Sequence, residues 1–75
     1  MEWLNFNGYV LDTLDDNLVV DYLLDYDGVL LYDEYENKEL YIAGGVQVKD
    51  KDKFILDFID FLENNNMRFM GMLGE

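Results

Sequence analysis

The 75-residue sequence contains no cysteine, no histidine and no proline. Without cysteine the chain has no disulfide framework, no zinc–thiolate site and no thiol nucleophile. Without histidine it has no imidazole base, which excludes Ser-His-Asp and Cys-His triads. No uncharged run reaches the roughly 18 residues that a membrane-spanning helix needs, and the N-terminus lacks the basic and apolar regions of a signal peptide. These absences favour a cytoplasmic, non-enzymatic protein with no catalytic residue, no cofactor and no metal site.

Basic residues are also scarce, because five Lys and Arg accompany 17 Asp and Glu, for a net charge of −12. Residues 1–37 contain ten acids and no base. Nucleic acid and anionic lipid would both be repelled by such a chain, so we expect neither direct nucleic-acid binding nor membrane binding. Yet 51% of the residues are hydrophobic, which is enough for a folded core. The length predicts one small acidic domain over residues 1–75.

Alternation of apolar and polar side chains predicts short antiparallel strands within residues 2–48. The Asn-Gly dipeptide at 7–8 and the Asp-Gly dipeptide at 27–28 are typical of two-residue hairpin turns. Residues 18–26 alternate before the second dipeptide, so the pattern predicts a strand there, paired with residues 29–36. One face of this sheet should pack against the core while the other meets water.

Two further dipeptides within residues 29–48 indicate where the predicted strands end. The Asn-Lys dipeptide at 37–38 is a weaker turn signal, and the Gly-Gly dipeptide at 44–45 is expected to interrupt the alternation before a short strand at 46–48. Asp33 falls on the packed face in this register, which indicates a bulge, a register error or a sheet edge.

A helix is predicted for residues 51–64, with Asp50 as its N-cap. Phe54, Phe58 and Leu62 belong to an apolar stripe at helical spacing. Residues 67–75 are rich in methionine and should form a short C-terminal strand or a tail. The predicted fold is α+β: an antiparallel meander of four to five short strands, with one amphipathic helix packed on one face.

One short motif resembles a known enzyme family. The nine residues 22–30, YLLDYDGVL, resemble the first motif of the haloacid dehalogenase superfamily, a hydrophobic strand followed by Asp-x-Asp-Gly. The resemblance implies Asp25 as nucleophile and Asp27 as general acid/base, with magnesium beside them. The chain is too short for a five-strand parallel sheet with crossover helices, and the later motifs of the family do not follow. We therefore interpret the motif as a hairpin corner.

The predicted register gathers acidic side chains on the solvent-facing side of the sheet. Same-face residues lie about 6.5–7 Å apart along a strand, a spacing comparable to that of phosphates along a nucleic-acid strand. Tyrosines between the carboxylates would add contact area, as tyrosine often does at protein interfaces. The predicted partner-binding residues are Asp21, Asp25, Tyr32, Glu34, Glu36, Glu39 and Tyr41.

The leading hypothesis is a small acidic inhibitor that binds the basic nucleic-acid-binding surface of a host protein such as a nuclease. By composition alone the chain is similar to nucleic-acid mimics, anti-restriction proteins and anti-CRISPR proteins, which phages and mobile elements make. The alternative is a self-associating structural or interaction module that uses the Met-rich C-terminal tail or an edge strand. In either case we expect a monomer or a homodimer. An acidic face that is merely solvated is the third interpretation.

Overall fold

The computed structural model describes residues 1–74 as one antiparallel sheet with two helices. The elements in chain order are β1 (Glu2–Leu11), α1 (Asp16–Leu24), β2 (Val29–Glu36), β3 (Glu39–Val48), α2 (Lys51–Asn64) and β4 (Arg68–Leu73). The four strands lie in the order β2-β3-β1-β4, and every neighbouring pair is antiparallel. This βαββαβ arrangement is the split βαβ, or ferredoxin-like, topology. The predicted α+β class and the number of strands are confirmed, whereas the strands do not follow one another as a meander.

The core lies between the two helices and one face of the sheet, which we call the inner face. On β1 and β3 the even-numbered side chains point inward, because successive side chains alternate across a strand. The buried core consists of Leu4, Phe6, Val10, Val19, Leu23, Leu40, Ile42, Val46, Val48, Phe54, Phe58, Leu62 and Met67. Both helices contribute to this cluster, so both cover the inner face.

The predicted hairpin at residues 7–8 is wrong, because these residues lie in the middle of β1. The Cα partners of Gly8 are Ile42 on one side and Gly71 on the other. A Cβ atom at Gly8 would come within 2.8 Å of the Gly71 Cα atom, so glycine here permits close approach of two strands. Pairing with a strand on each side keeps the chain extended and overrides the local turn preference of Asn-Gly.

Residues 18–26 were expected to form a strand, and this prediction is also wrong. Residues 16–24 form α1, which begins at the N-cap Asp15, whose carboxylate accepts a hydrogen bond from the Asn17 amide at 3.0 Å. Helical spacing brings Tyr22 onto α2, where its ring stacks on Phe61 with a centroid distance of 4.3 Å. The Asp-Gly dipeptide at 27–28 therefore connects a helix to β2 and does not close a hairpin.

The Gly-Gly dipeptide at residues 44–45 was expected to interrupt the alternation, but both residues lie inside β3. Gly44 has a φ of +141°, and a Cβ atom there would collide with the Leu30 carbonyl oxygen on β2. Gly45 is covered by the indole of Trp3. The two glycines thus let neighbouring groups approach the strand closely without ending it.

The turn predicted at residues 37–38 is confirmed as the β2–β3 connection. Asn37 and Lys38 have φ values of 52° and 63°, as a two-residue type I′ turn requires. The turn is hydrogen-bonded to the β1–α1 connection, because the Thr13 amide donates to the Lys38 carbonyl at 2.8 Å. The Tyr35 hydroxyl also donates to the Thr13 carbonyl, at 2.5 Å. Asp33 points toward the inner side but is exposed, because β2 is an edge strand.

The predicted helix and its cap are confirmed. The Asp50 carboxylate accepts a hydrogen bond from the Lys53 amide at 3.2 Å, and Phe54, Phe58 and Leu62 are the buried residues of α2. The Met-rich tail forms β4, which pairs with β1 as the last strand of the sheet. Within residues 1–74 neither helix is long and apolar enough to cross a bilayer.

Candidate binding face

The face of the sheet opposite the helices is uncovered in residues 1–74, and we call it the open face. Its apolar side chains are well exposed: Leu30 by 67%, Met70 by 60%, Tyr32 by 56% and Tyr9 by 46%. The strand registers assign to this face Trp3, Asn5, Asn7, Tyr9 and Leu11 of β1, Leu30, Tyr32, Glu34 and Glu36 of β2, Glu39, Tyr41, Ala43, Gly45 and Gln47 of β3, and Arg68, Met70 and Met72 of β4.

Three tyrosines on adjacent strands form a row across this face. The ring centroids of Tyr32 and Tyr41 are 6.0 Å apart, and those of Tyr41 and Tyr9 are 5.2 Å apart. The first contact is T-shaped and the second is tilted, so the rings do not cover one another face to face. The tyrosine row, Tyr32–Tyr41–Tyr9, continues onto β4 at Met70, which is the Cα partner of Tyr9.

Hydrogen bonds hold two of the three tyrosines of the row in place, Tyr32 and Tyr41. The Tyr32 hydroxyl donates to Glu34 Oε2 at 3.2 Å, and the Tyr41 hydroxyl donates to Asn7 Oδ1 at 3.1 Å. The bond to the Glu34 carboxylate raises the pKa of the Tyr32 hydroxyl above its ordinary value. The Tyr32 phenol is therefore neutral at physiological pH.

Three glutamates lie beside the tyrosine row, at the end of the face formed by the β2–β3 hairpin. Glu34 is the Cα partner of Tyr41, and Glu36 is the partner of Glu39. All three are exposed. Among residues 1–74 the ion pairs join Lys53 to Asp57 and Arg68 to Asp12, so no base is paired with this glutamate cluster, Glu34–Glu36–Glu39. Like charges directly opposite each other on a sheet are destabilising, and Glu36 and Glu39 are such a pair.

The structure therefore brings together five of the seven residues that the sequence analysis selected: Tyr32, Glu34, Glu36, Glu39 and Tyr41. Asp21 and Asp25 do not join them, because they lie on or beside α1, on the other side of the sheet. There the two aspartates line a shallow groove with Leu18, Tyr22 and Phe61. The single acidic surface expected from the sequence is thus divided between two sides of the molecule.

The motif that resembles the haloacid dehalogenase superfamily does not have the strand context of that family. Asp25 is the C-cap residue of α1, so it follows a helix and not a buried strand. Asp25 and Asp27 line a cleft of about 330 Å³ at the start of α2, where Lys49 and Lys53 also lie. No cluster of three or more carboxylates able to hold a metal ion occurs in the described part of the chain.

Sequence reasoning missed the part of the open face that β1 contributes. Trp3 lies over Gly45 and donates from Nε1 to Asn5 Oδ1 at 2.9 Å, while Asn7 accepts from Tyr41. The residues at positions 3, 5, 7 and 9 alternate with the buried ones, and this period of two continues through the whole strand. This alternation could have identified the β1 part of the face. The hairpin turn predicted at residues 7–8 instead divides β1 into two strands and so separates Trp3 from Tyr9.

Comparison of the chain with protein-family models, with curated proteins and with solved structures found no match. The open face combines the exposed Tyr9 and Tyr32 rings, the half-buried Tyr41 ring between them, and three glutamates that form no ion pair with a base of residues 1–74.

Proposed function

We propose that this protein is a non-enzymatic inhibitor that binds the basic, nucleic-acid-binding surface of another protein, such as a host nuclease, through its open face. The observation that carries the proposal is the glutamate cluster beside the tyrosine row, whose Tyr9 and Tyr32 rings are exposed on the uncovered side of the sheet. A cationic partner would complement the charge of the cluster and bury the exposed rings.

The combination of sheet and aromatic side chains supports a binding role. RNA-recognition modules use a four-stranded sheet whose exposed aromatic residues stack on bases. Here a net charge of −12 and the three glutamates would repel phosphate, so the partner of this face should be cationic. A basic channel that ordinarily holds nucleic acid supplies positive charge over an extended surface.

The molecule's net charge also favours rapid encounter with such a partner. Complementary potentials raise association rates and are weakened by salt. The acids of α1 and α2 would contribute to this long-range attraction without touching the partner. We place the encounter in the cytoplasm, where host nucleases act.

A matched pair of triple variants tests the proposal. The first, Glu34→Gln/Glu36→Gln/Glu39→Gln, removes three charges from the open face. The second, Asp52→Asn/Asp60→Asn/Glu63→Gln, removes three exposed charges from α2, so the two variants have the same net charge. Immobilised proteins are used to capture nucleic-acid-binding proteins from host lysate, with duplex DNA or structured RNA added as competitor.

We expect the native protein and the α2 variant to retain nucleic-acid-binding proteins that the competitor displaces. We expect the open-face variant to capture them about tenfold less, since charge-assisted contacts of roughly 1.5 kcal/mol or more are lost. Equal losses in both variants, or capture that nucleic acid does not compete with, would contradict the proposal.

A second candidate function, self-association through β4, is favoured by a separate observation. β4 is an edge strand with no acidic residue, and Met70 and Met72 are exposed on it. In so acidic a chain this edge is a place where a second copy could add its own β4 without charge repulsion. Sedimentation should then show a dimer that Met70→Glu/Met72→Glu converts to a monomer, while Leu56→Glu on α2 leaves it intact. A native protein that stays monomeric at high concentration would rule out this function.

A further inference from the structure

We infer that the open face selects arginine over lysine in its partner, so that its ligand is an arginine-rich segment of the basic surface. The inference rests on the proposed function and deepens it, because it names the side chain that the face recognises. Its basis is the adjacency, on one surface, of the exposed Tyr9 and Tyr32 rings and glutamates that form no ion pair with a base of residues 1–74.

The required groups are close enough for one side chain to reach both. Glu34 is directly opposite Tyr41, and directly opposite residues on a sheet have Cβ atoms about 4.5–5.5 Å apart. Tyr32 precedes Glu34 by two residues on the same strand and donates its hydroxyl to that carboxylate. A flat cation lying over either ring would therefore have a carboxylate at its edge.

Guanidinium and ammonium groups differ in how they use such a surface. The guanidinium group is planar and weakly hydrated, stacks on aromatic faces, and binds a carboxylate through two parallel N–H groups. The ammonium group of lysine is a compact, strongly hydrated charge that lacks both the plane and the fork. Stacking and bidentate pairing can occur together only for arginine, so the face should prefer it.

The glutamate cluster itself favours a bound cation. Glu36 and Glu39 are Cα partners, exposed and unpaired with any base of residues 1–74. A guanidinium between them would replace a repulsion by two attractions. This gain explains affinity for positive charge in general, whereas the tyrosine row supplies the preference for arginine.

The acidic side chains on and beside α1, Asp21 and Asp25, differ from the glutamate cluster in the exposure of their aromatic neighbours. Their neighbouring ring, Tyr22, is stacked on Phe61, so one of its faces is already covered. Tyr26 is half-buried against Phe54, whereas Tyr9 and Tyr32 are exposed on the open face. Carboxylates on that side should attract lysine and arginine about equally, because no open aromatic row lies among them.

The experiment compares labelled nona-arginine and nona-lysine peptides by fluorescence anisotropy at one fixed ionic strength. We expect the native protein to bind nona-arginine about tenfold more tightly, a difference of about 1.4 kcal/mol that stacked guanidinium groups supply. In Tyr9→Leu/Tyr32→Leu, which keeps apolar side chains but removes two rings, the preference should fall to about twofold or less. In the open-face triple glutamine variant, both affinities should fall, and the affinity for nona-arginine should fall further because its bidentate carboxylate pairing is also lost.

A second measurement makes the result independent of the folding of the tyrosine variant. Ring-proton NMR shifts of Tyr9, Tyr32 and Tyr41 in the native protein should move on titration with nona-arginine, and much less with nona-lysine. Equal affinities for the two peptides, no binding of either, or unmoved tyrosine shifts would overturn the inference. Equal affinities combined with nucleic-acid-competed capture would leave the proposed function standing. If the protein preferred nona-arginine but added nucleic acid did not displace the captured proteins, the arginine preference would stand and the proposed function would be wrong.

Discussion

Phe58→Ala is expected to remove most of the free energy of unfolding. The Phe58 ring is fully buried and lies against Tyr22 of α1, Phe54 of α2 and Phe69 of β4, with centroid distances of 5.8, 5.7 and 6.1 Å. Truncation of a buried phenylalanine costs about 3–5 kcal/mol, while small domains have only about 5 kcal/mol or slightly more to lose. The melting temperature should fall by at least about 12 °C, measured by circular dichroism.

Leu56→Ala is the matched control for this prediction. Leu56 lies on the same helix but is 67% exposed, so its truncation leaves no cavity. The free energy of unfolding should change by less than about 0.5 kcal/mol. A Phe58 variant that melts within a few degrees of the Leu56 variant would show that the aromatic cluster does not hold the helices on the sheet.

Gly44→Ala is expected to detach β2 from β3. The new Cβ atom would meet the Leu30 carbonyl oxygen, a backbone atom that cannot rotate away, and the φ of +141° is itself unfavourable for alanine. The loss of stability should exceed about 1 kcal/mol. Hydrogen exchange of the β2 amides should accelerate more than that of β1, since within residues 1–74 β2 is an edge strand that pairs with β3.

Gly28→Ala provides the comparison. A Cβ atom at Gly28 would meet the end of the Gln47 side chain, which is exposed and can move. We expect a change within about 0.5 kcal/mol and normal amide protection in β2. If Gly44→Ala and Gly28→Ala had the same free energy of unfolding and the same amide protection in β2, the close approach of β2 and β3 would not require glycine at position 44.

Some features of the fold were predictable because their signals are local. The helix at residues 51–64 combines a capping aspartate, Asp50, with apolar residues at 54, 58 and 62, and no other structure fits both. The turn at 37–38 fixes the register of β2 against β3, which is why Tyr32, Glu34 and Tyr41 were placed on the right face.

The segment at residues 18–26 satisfies two patterns at once. It alternates as a strand does, but Val19, Tyr22, Leu23 and Tyr26 also follow the i, i+3, i+4, i+7 spacing of a helix. The aromatic contacts that α1 makes with α2 favour the helix, and these contacts are remote in sequence. Asp21 and Asp25 were assigned to the acidic surface only because the strand was assumed.

The order of the strands lies beyond local reasoning altogether. β1 pairs with β3 and β4, which are distant along the chain, and only this pairing places Tyr9 next to Tyr41. Without it the sequence indicates acids with scattered tyrosines, whereas the folded chain has a continuous row of rings. The central position of β1 is thus what creates the candidate site.

The attachment of the β2–β3 turn to Thr13 has a consequence for the energetics of capture. Thr13 is fully buried, and its backbone is hydrogen-bonded to the Lys38 carbonyl and the Tyr35 hydroxyl. Tyr35 directly precedes Glu36, and Lys38 directly precedes Glu39. The backbone that carries these carboxylates is therefore already ordered before any partner arrives. Binding needs to restrict only side-chain rotamers, at about 0.5–1.5 kcal/mol each, and a loop-ordering penalty is avoided.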